Sequence, residues 1–235
     1  MVKVGYLGHP EDQGGPSGLE LLEECKPTPI ELLGGDLTRC PGVRGYHKNT
    51  FEVKCPFDLE WTVIRSRKYE GDKNFTWSIN EDKTTLNFNN VFFEESAVLG
   101  FDETAESVQV LIVPCWSFVS DTKNTIMLQH SNGIDTNPQV ITGQMDIYKW
   151  PDRQLSIGYA IKKDEQTFTL KKGQPWYRVT FFTPELEIVK LVRIEERPKF
   201  LKKIKNKHML SNIKYQNWRK IFNKFGETRP KKLIP

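Results

Sequence analysis

An all-β fold is predicted by three features of this 235-residue chain. Apolar and polar residues alternate with period two through much of 50–192. The alternating stretches are rich in aromatic and β-branched residues, the side chains that fit a half-buried pleated surface. Turn signals separate them at a spacing of roughly 10–15 residues, the rhythm of a sandwich, jelly roll or small barrel. No strand–helix–strand alternation occurs, which argues against a doubly wound or barrel α/β arrangement.

The strands follow in order. FEVKC at 51–55 precedes Pro56, and DLEWTVIRS places Leu59, Trp61 and Val63 on one face with Glu60 and Thr62 on the other. FTWSIN at 75–80 repeats this with Phe75, Trp77 and Ile79, and after a turn at Glu81-Asp82-Lys83 the run TTLNFNN alternates Leu86 and Phe88 with Asn. SVQVLIVPCWSFV at 107–119 is a more continuous apolar run, as expected of the most buried strand. Pro114 carries no amide proton for a ladder, so a bulge or strand end is expected there. TIMLQH (125–130), QVITGQMDIYKW (139–150), LSIGYAI (155–161), TFTL (167–170), PWYRVTFF (175–182) and LEIVKLVRIEE (186–196) complete the set.

Both flanks differ from this body. Residues 1–49 are rich in Gly and Pro and weakly periodic, with Gly14-Gly15-Pro16, Pro27-Thr28-Pro29, Gly34-Gly35 and Pro41-Gly42 interrupting any long element. They are expected to form an N-terminal arm, with Ser17 capping a short helix over 18–25. Residues 193–235 form a basic tail that reads as helix: Trp218, Ile221, Phe222 and Phe225 repeat at i, i+3, i+4, i+7, while Arg219, Lys220 and Lys224 lie off that stripe. Gly226 is placed to end the helix, and ETRPKKLIP is expected to be extended.

Charge is divided in the same way. From Arg197 to Pro235 there are 13 Lys or Arg and one acid, Glu227. Taking these from totals of 34 and 30 leaves 21 basic and 29 acidic residues in 1–196. An acidic body with a basic tail either folds back on itself or docks on something negative. Mean hydropathy is −0.54, yet six Trp, seven Tyr and fourteen Phe supply enough area for a core. No run approaches the length of a membrane span, and MVKVGYLGHPEDQGG lacks the apolar stretch of a secretory signal, so no membrane partner and no secretion are expected. Cys25, Cys40, Cys55 and Cys115 include no close pair of the kind zinc sites use, and reduced thiols are expected.

Two stretches carry a resemblance. CPGVRGYHKNTFEVKCPFDLEW at 40–61 resembles the opening of a family of uncharacterised proteins from phages, notably cyanophages, and from some bacteria. The run 141–183 resembles the same family through Gly143, Trp150, Ile157-Gly158-Tyr159 and the turn Lys171-Lys172-Gly173-Gln174-Pro175, where Gln174 replaces the family's acid. The resemblance covers about 140 residues, leaves the basic tail out, and implies a double-stranded β-helix, or jelly roll, in a viral setting with no settled activity.

Such a fold raises the question of a metal-dependent oxygenase, which needs two His and a carboxylate converging on iron. His9, His47, His130 and His208 include no HxH, HxD or HxE; His130, five residues before Asp135, is read as a polar residue at a strand end. No nucleophile elbow or phosphate loop is present, Cys115 reads as a core residue, and Glu23-Glu24 and Glu94-Glu95 read as solvated acids. Trp116, Trp150 and Trp176 are candidates for a sugar-stacking face, set against a core role. No catalytic residue, metal or cofactor is assigned.

The tail is the strongest functional feature. Its apolar stripe must be buried, whereas phosphate contact needs only charge. The sequence therefore predicts a non-enzymatic, phage-type structural or accessory protein of the virion or host cytoplasm. It acts by protein–protein assembly, with homo-oligomers or a viral assembly as partners. Trp218, Ile221, Phe222 and Phe225 seat in a partner's groove, with Lys202, Lys203, Arg219 and Lys220 on its rim. The alternatives are an oxygenase-like β-helix enzyme and a nucleic-acid-binding accessory protein, and the stripe also fits packing on the chain's own body.

Overall fold

A computed structural model describes residues 1–8, 26–27, 40–55, 57–65, 75–85, 108–112, 116–131, 139–151, 153, 157–161, 165–201 and 229–234. Fourteen strands and one α-helix lie among them, so the chain is mostly β. The strands are β1 (Val2–Gly8), β2 (Lys26–Pro27), β3 (Thr50–Lys54), β4 (Leu59–Arg65), β5 (Phe75–Ile79), β6 (Val108–Ile112), β7 (Trp116–Ser120), β8 (Ile126–Ser131), β9 (Gln139–Val140), β10 (Gly143–Asp146), β11 (Ile157–Ile161), β12 (Glu165–Leu170), β13 (Pro175–Phe182) and β14 (Val189–Arg193). The helix α1 spans Pro41–Lys48.

Four sheets result, ordered β14-β1-β7, β10-β8-β13-β3-β2, β6-β11-β9 and β12-β4-β5. Pairing is antiparallel except between β1 and β14, which run parallel. One buried cluster joins the sheets. It takes Val2, Val4 and Tyr6 from β1, Phe51 and Val53 from β3, Leu59 and Trp61 from β4, Tyr159 from β11, Phe168 from β12, and Tyr177, Val179 and Phe181 from β13. Leu59 and Trp61 share the buried face that alternation assigns them. The apolar run 107–119 forms two strands in different sheets, β6 and β7, on either side of the segment that holds Pro114.

Two expectations for the first 49 residues meet the structure differently. At Pro41-Gly42, where the sequence marks an interruption, a short helix starts. Proline at the first helical position loses no hydrogen bond and already has the required φ. Residues 2–8 of the expected arm form the central strand of a sheet and contribute to the main core. The helix expected over 18–25 lies outside the described residues.

The residues that carry the family resemblance hold turns and crossings together. Gly173 adopts φ +78°, a conformation L side chains avoid, and its N–H donates to the Cys55 carbonyl at 2.7 Å while Cys55 N–H donates to Gln174 O at 2.8 Å. Lys172 N–H donates to the Asp58 carboxylate at 3.1 Å, so the two resembling stretches meet in space. Asn49, at the end of α1, donates from Nδ2 to Glu187 O and accepts at Oδ1 from Val189 N–H, both at 2.8 Å, tying the helix to β14.

Candidate functional site

The candidate functional feature of the sequence is the basic segment, and the structure describes the chain on either side of it. After β14 the chain enters a second buried cluster through Ile194 and Leu201; residues 199–201 have helical backbone. Leu233 and Ile234 close the same cluster, with Leu7 from β1 and Val119 from β7. On β1, Val2, Val4 and Tyr6 face the main core while Leu7 faces this second one, so the sheet is covered on both sides. Gly5 lies on the second face, where the packing is tight. A Cβ there would stand 2.5 Å from Ile194 Cδ1, 3.0 Å from Val119 Cγ1 and 3.1 Å from Ile234 Cγ1.

The return is clamped by charge. The Arg229 side chain is only 1% exposed and pairs with the Asp121 carboxylate at 3.1 Å. Its guanidinium also donates to the carbonyls of Ser120 and Tyr148 and lies over the Tyr148 ring, 4.2 Å from the centroid. Burial pushes the guanidinium's pKa down and Asp121 opposes that shift; an arginine stays charged regardless. Asp121 accepts as well from Leu233 N–H and Ile234 N–H, at 2.9 Å to one carboxylate oxygen or the other. One carboxylate thus fixes both the cation and the backbone of the last turn of chain. Charged hydrogen bonds of this kind are about twice as strong as neutral ones.

Between the two anchors lie residues 202–228, with eight Lys or Arg and one acid. Trp218, Ile221, Phe222, Phe225, Lys202, Lys203, Arg219 and Lys220 all fall in this segment, outside the described residues.

A second polar cluster sits on the outer face of the five-stranded sheet, under α1. Register places Arg178 between Glu52 on one neighbouring strand and His130 on the other. Arg178 reaches Glu52 at 3.8 Å. His130 is half-buried near the end of β8, as expected for a polar strand-end residue, and both ring nitrogens are engaged: Nδ1 lies 3.1 Å from Ser131 O and Nε2 lies 3.0 Å from Thr180 Oγ1. Asp135, His9 and His208 lie outside the described residues. Among the described residues no group of three or more His, Cys, Asp or Glu is arranged to hold a metal ion.

The sugar-face candidates do not form one exposed platform. Trp176 is buried in the main core with its indole N–H donating to the Tyr159 hydroxyl, and Trp150 packs partly buried against the same core. Aromatic strand positions facing inward are core positions first. Among the described residues no helix is long and apolar enough to cross a membrane.

Sequence reasoning missed Arg229, Asp121 and Tyr148. The faint signal was an apolar Leu233-Ile234 pair closing a basic stretch, a pattern that a solvated tail does not need. No family model, curated protein or solved structure matches the chain.

Proposed function

We propose that this chain is a non-enzymatic, phage-type structural or accessory protein whose basic segment 202–228 is a docking element tethered to the body at both ends. The observation that carries this reading is that Leu201 and Leu233-Ile234 share one buried cluster, with Arg229 clamped on Asp121 beside it. A segment held at both ends loses less conformational freedom on binding than a free tail does, because its ends are already fixed. Its sequence gives it an apolar stripe at Trp218, Ile221, Phe222 and Phe225 and a cationic rim at Lys202, Lys203, Arg219 and Lys220. That combination fits an acidic protein surface with an apolar groove. The body is read as a jelly-roll-like scaffold. Support comes from antiparallel pairs between strands far apart in sequence, β3 with β13 and β4 with β12, around one core. The parallel β1–β14 pair is an addition to that pattern.

The test is a native mass spectrum of the untagged protein from its producing cells. It is compared with a variant in which 202–228 is replaced by a neutral Gly-Ser linker of equal length. The expected result is a defined oligomer or protein complex for the natural chain and a folded monomer for the variant. Assembly that survives the replacement contradicts the proposal, as does a monomer carrying a stoichiometric metal or cofactor. Retention of nucleic acid instead of protein, lost at high salt, would favour the nucleic-acid reading.

A further inference from the structure

The polar cluster under α1 has no part in the assembly reading, and at its centre is an unused guanidinium. Arg178 stands on the outer face of the five-stranded sheet with its side chain only 23% exposed. Its planar fork carries five N–H donors. Among the described residues the side chain makes no hydrogen bond: Nε is buried without a partner, and the Glu52 carboxylate is 3.8 Å away, beyond hydrogen-bond range. Unpaired donors on a largely buried guanidinium are costly, and an anion is the partner that its charge and shape call for.

The polar neighbours are largely committed to one another. Thr50 Oγ1 lies 2.8 Å from the Tyr46 carbonyl, which only accepts, so Thr50 donates there. The 2.8 Å Thr50–Thr180 contact then takes the Thr180 proton and leaves Thr180 Oγ1 as an acceptor 3.0 Å from His130 Nε2. Ser131 O accepts at Nδ1, so protonated His130 is satisfied at both nitrogens and can carry charge without a further partner. The Tyr46 phenol is 3.4 Å from Nε2, at the edge of hydrogen-bond range, and holds its proton ready for a better acceptor. On α1, His47 Nδ1 is buried without a partner. Arg178 acts on both rings. Burial first, and then Arg178, lower the His47 pKa; burial lowers that of His130, the Ser131 hydrogen bond opposes this, and Arg178 adds to the lowering.

An apolar shelf adjoins this charge. Phe182 lies on the same face of β13 as Arg178, four residues and about 13 Å along the strand. Its ring is 6.4 Å from that of Tyr46, which in turn packs against His47 and His130. Phe182 is 39% exposed and Tyr46 36%, and among the described residues no other aromatic side chain is as open.

We propose that this face is a binding site for a small oxyanion carried on an aromatic ring, an aryl carboxylate or aryl phosphate, with the Arg178 fork on the anion, His47 and His130 adding positive charge, and the ring packed on Tyr46 and Phe182. Two oxygens of either group match the fork. Glu52 is the internal competitor, too distant to satisfy Arg178 but close enough to offset part of its charge.

The experiment is an NMR titration of the full chain with phosphate, phenyl phosphate, acetate and benzoate at constant ionic strength, read at the amides of α1, β8 and β13. One pair of probes, phosphates or carboxylates, is expected to shift these amides to saturation and so to identify the anion. Its ring-bearing member should bind about fivefold more tightly than the bare anion. Arg178→Gln should weaken binding about tenfold. Glu52→Gln should strengthen it about threefold, a gain that damage to the fold does not produce. Because bound anion offsets Arg178, the titration midpoints of His47 and His130 should rise at saturation. No saturable shift with any probe, equal affinity with and without the ring, unchanged binding in Arg178→Gln, no gain in Glu52→Gln, or histidine midpoints that stay in place would each overturn the proposal.

Discussion

The two buried clusters of this protein are built by different rules. The main core gathers inward-facing residues from strands whose alternation already marks them as half-buried, such as Leu59 and Trp61 on β4 or Val179 and Phe181 on β13. The second cluster joins four separate stretches of chain: Leu7, Val119, the 194–201 passage and Leu233-Ile234. One ion pair, Arg229 with Asp121, lies at its edge. The first holds the body together. The second determines whether the basic segment is a free tail or a span fixed at both ends. The body can therefore keep its fold while the segment's tethering changes, since the clusters share a sheet but use its opposite faces.

Breaking the main core is expected to have the largest effect. Trp61→Ala removes a fully buried indole packed 4.8 Å from the Phe168 ring, and about 4 kcal/mol of global stability should go with it. Urea denaturation would register this as a lower midpoint for the whole molecule.

Asp121→Ala comes next. It leaves the buried Arg229 charge without its partner and the Leu233 and Ile234 amides without their acceptor, at a cost of about 3 kcal/mol. The comparison predicts that this loss is local. Hydrogen exchange should rise at 229–234 while amides of β13 keep their protection, and equal loss in both places would erase the distinction between the clusters.

Gly5→Ala sharpens the same comparison at smaller cost. The added methyl enters the second cluster against Ile194, Val119 and Ile234, and not the main core. Overpacking of about 1–2 kcal/mol is expected, appearing as faster exchange at Ile234 before any change in the body.

The smallest effect concerns thiol chemistry and leaves stability alone. Cys40 is exposed at the start of α1, where backbone N–H groups of Val43 and then Gly42 lower its pKa. Burial pushes the Cys55 thiol up to about 12. Alkylation by iodoacetamide at pH 7.5, followed by peptide mapping, should label Cys40 readily and Cys55 only on unfolding.

Much of the β body is legible in the sequence because period-two alternation is a local signal. β3, β4, β5, β8, β11 and β13 all coincide with stretches it marks. β1 escaped that reading because VKVGYLG opens a Gly- and Pro-rich stretch, and because Leu7 on its second face is buried as well as Val2, Val4 and Tyr6 on the first, which blunts the alternation. α1 was hidden by Pro41, which reads as a breaker unless its position in the helix is known. The clamp was beyond local reasoning altogether, since Asp121 and Leu233 are brought together only by the fold. The apolar stripe at 218–225 is legible in the sequence and lies outside the described residues.

The most direct test of the double anchorage is amide hydrogen exchange at Leu233 and Ile234 in the full-length, unmodified protein. Their N–H groups donate to the Asp121 carboxylate and their side chains are buried. The account predicts protection approaching that of β7, on which they pack. Exchange at the rate of an unstructured peptide would mean the basic segment ends in a free tail, and the tethered docking element would have to be abandoned.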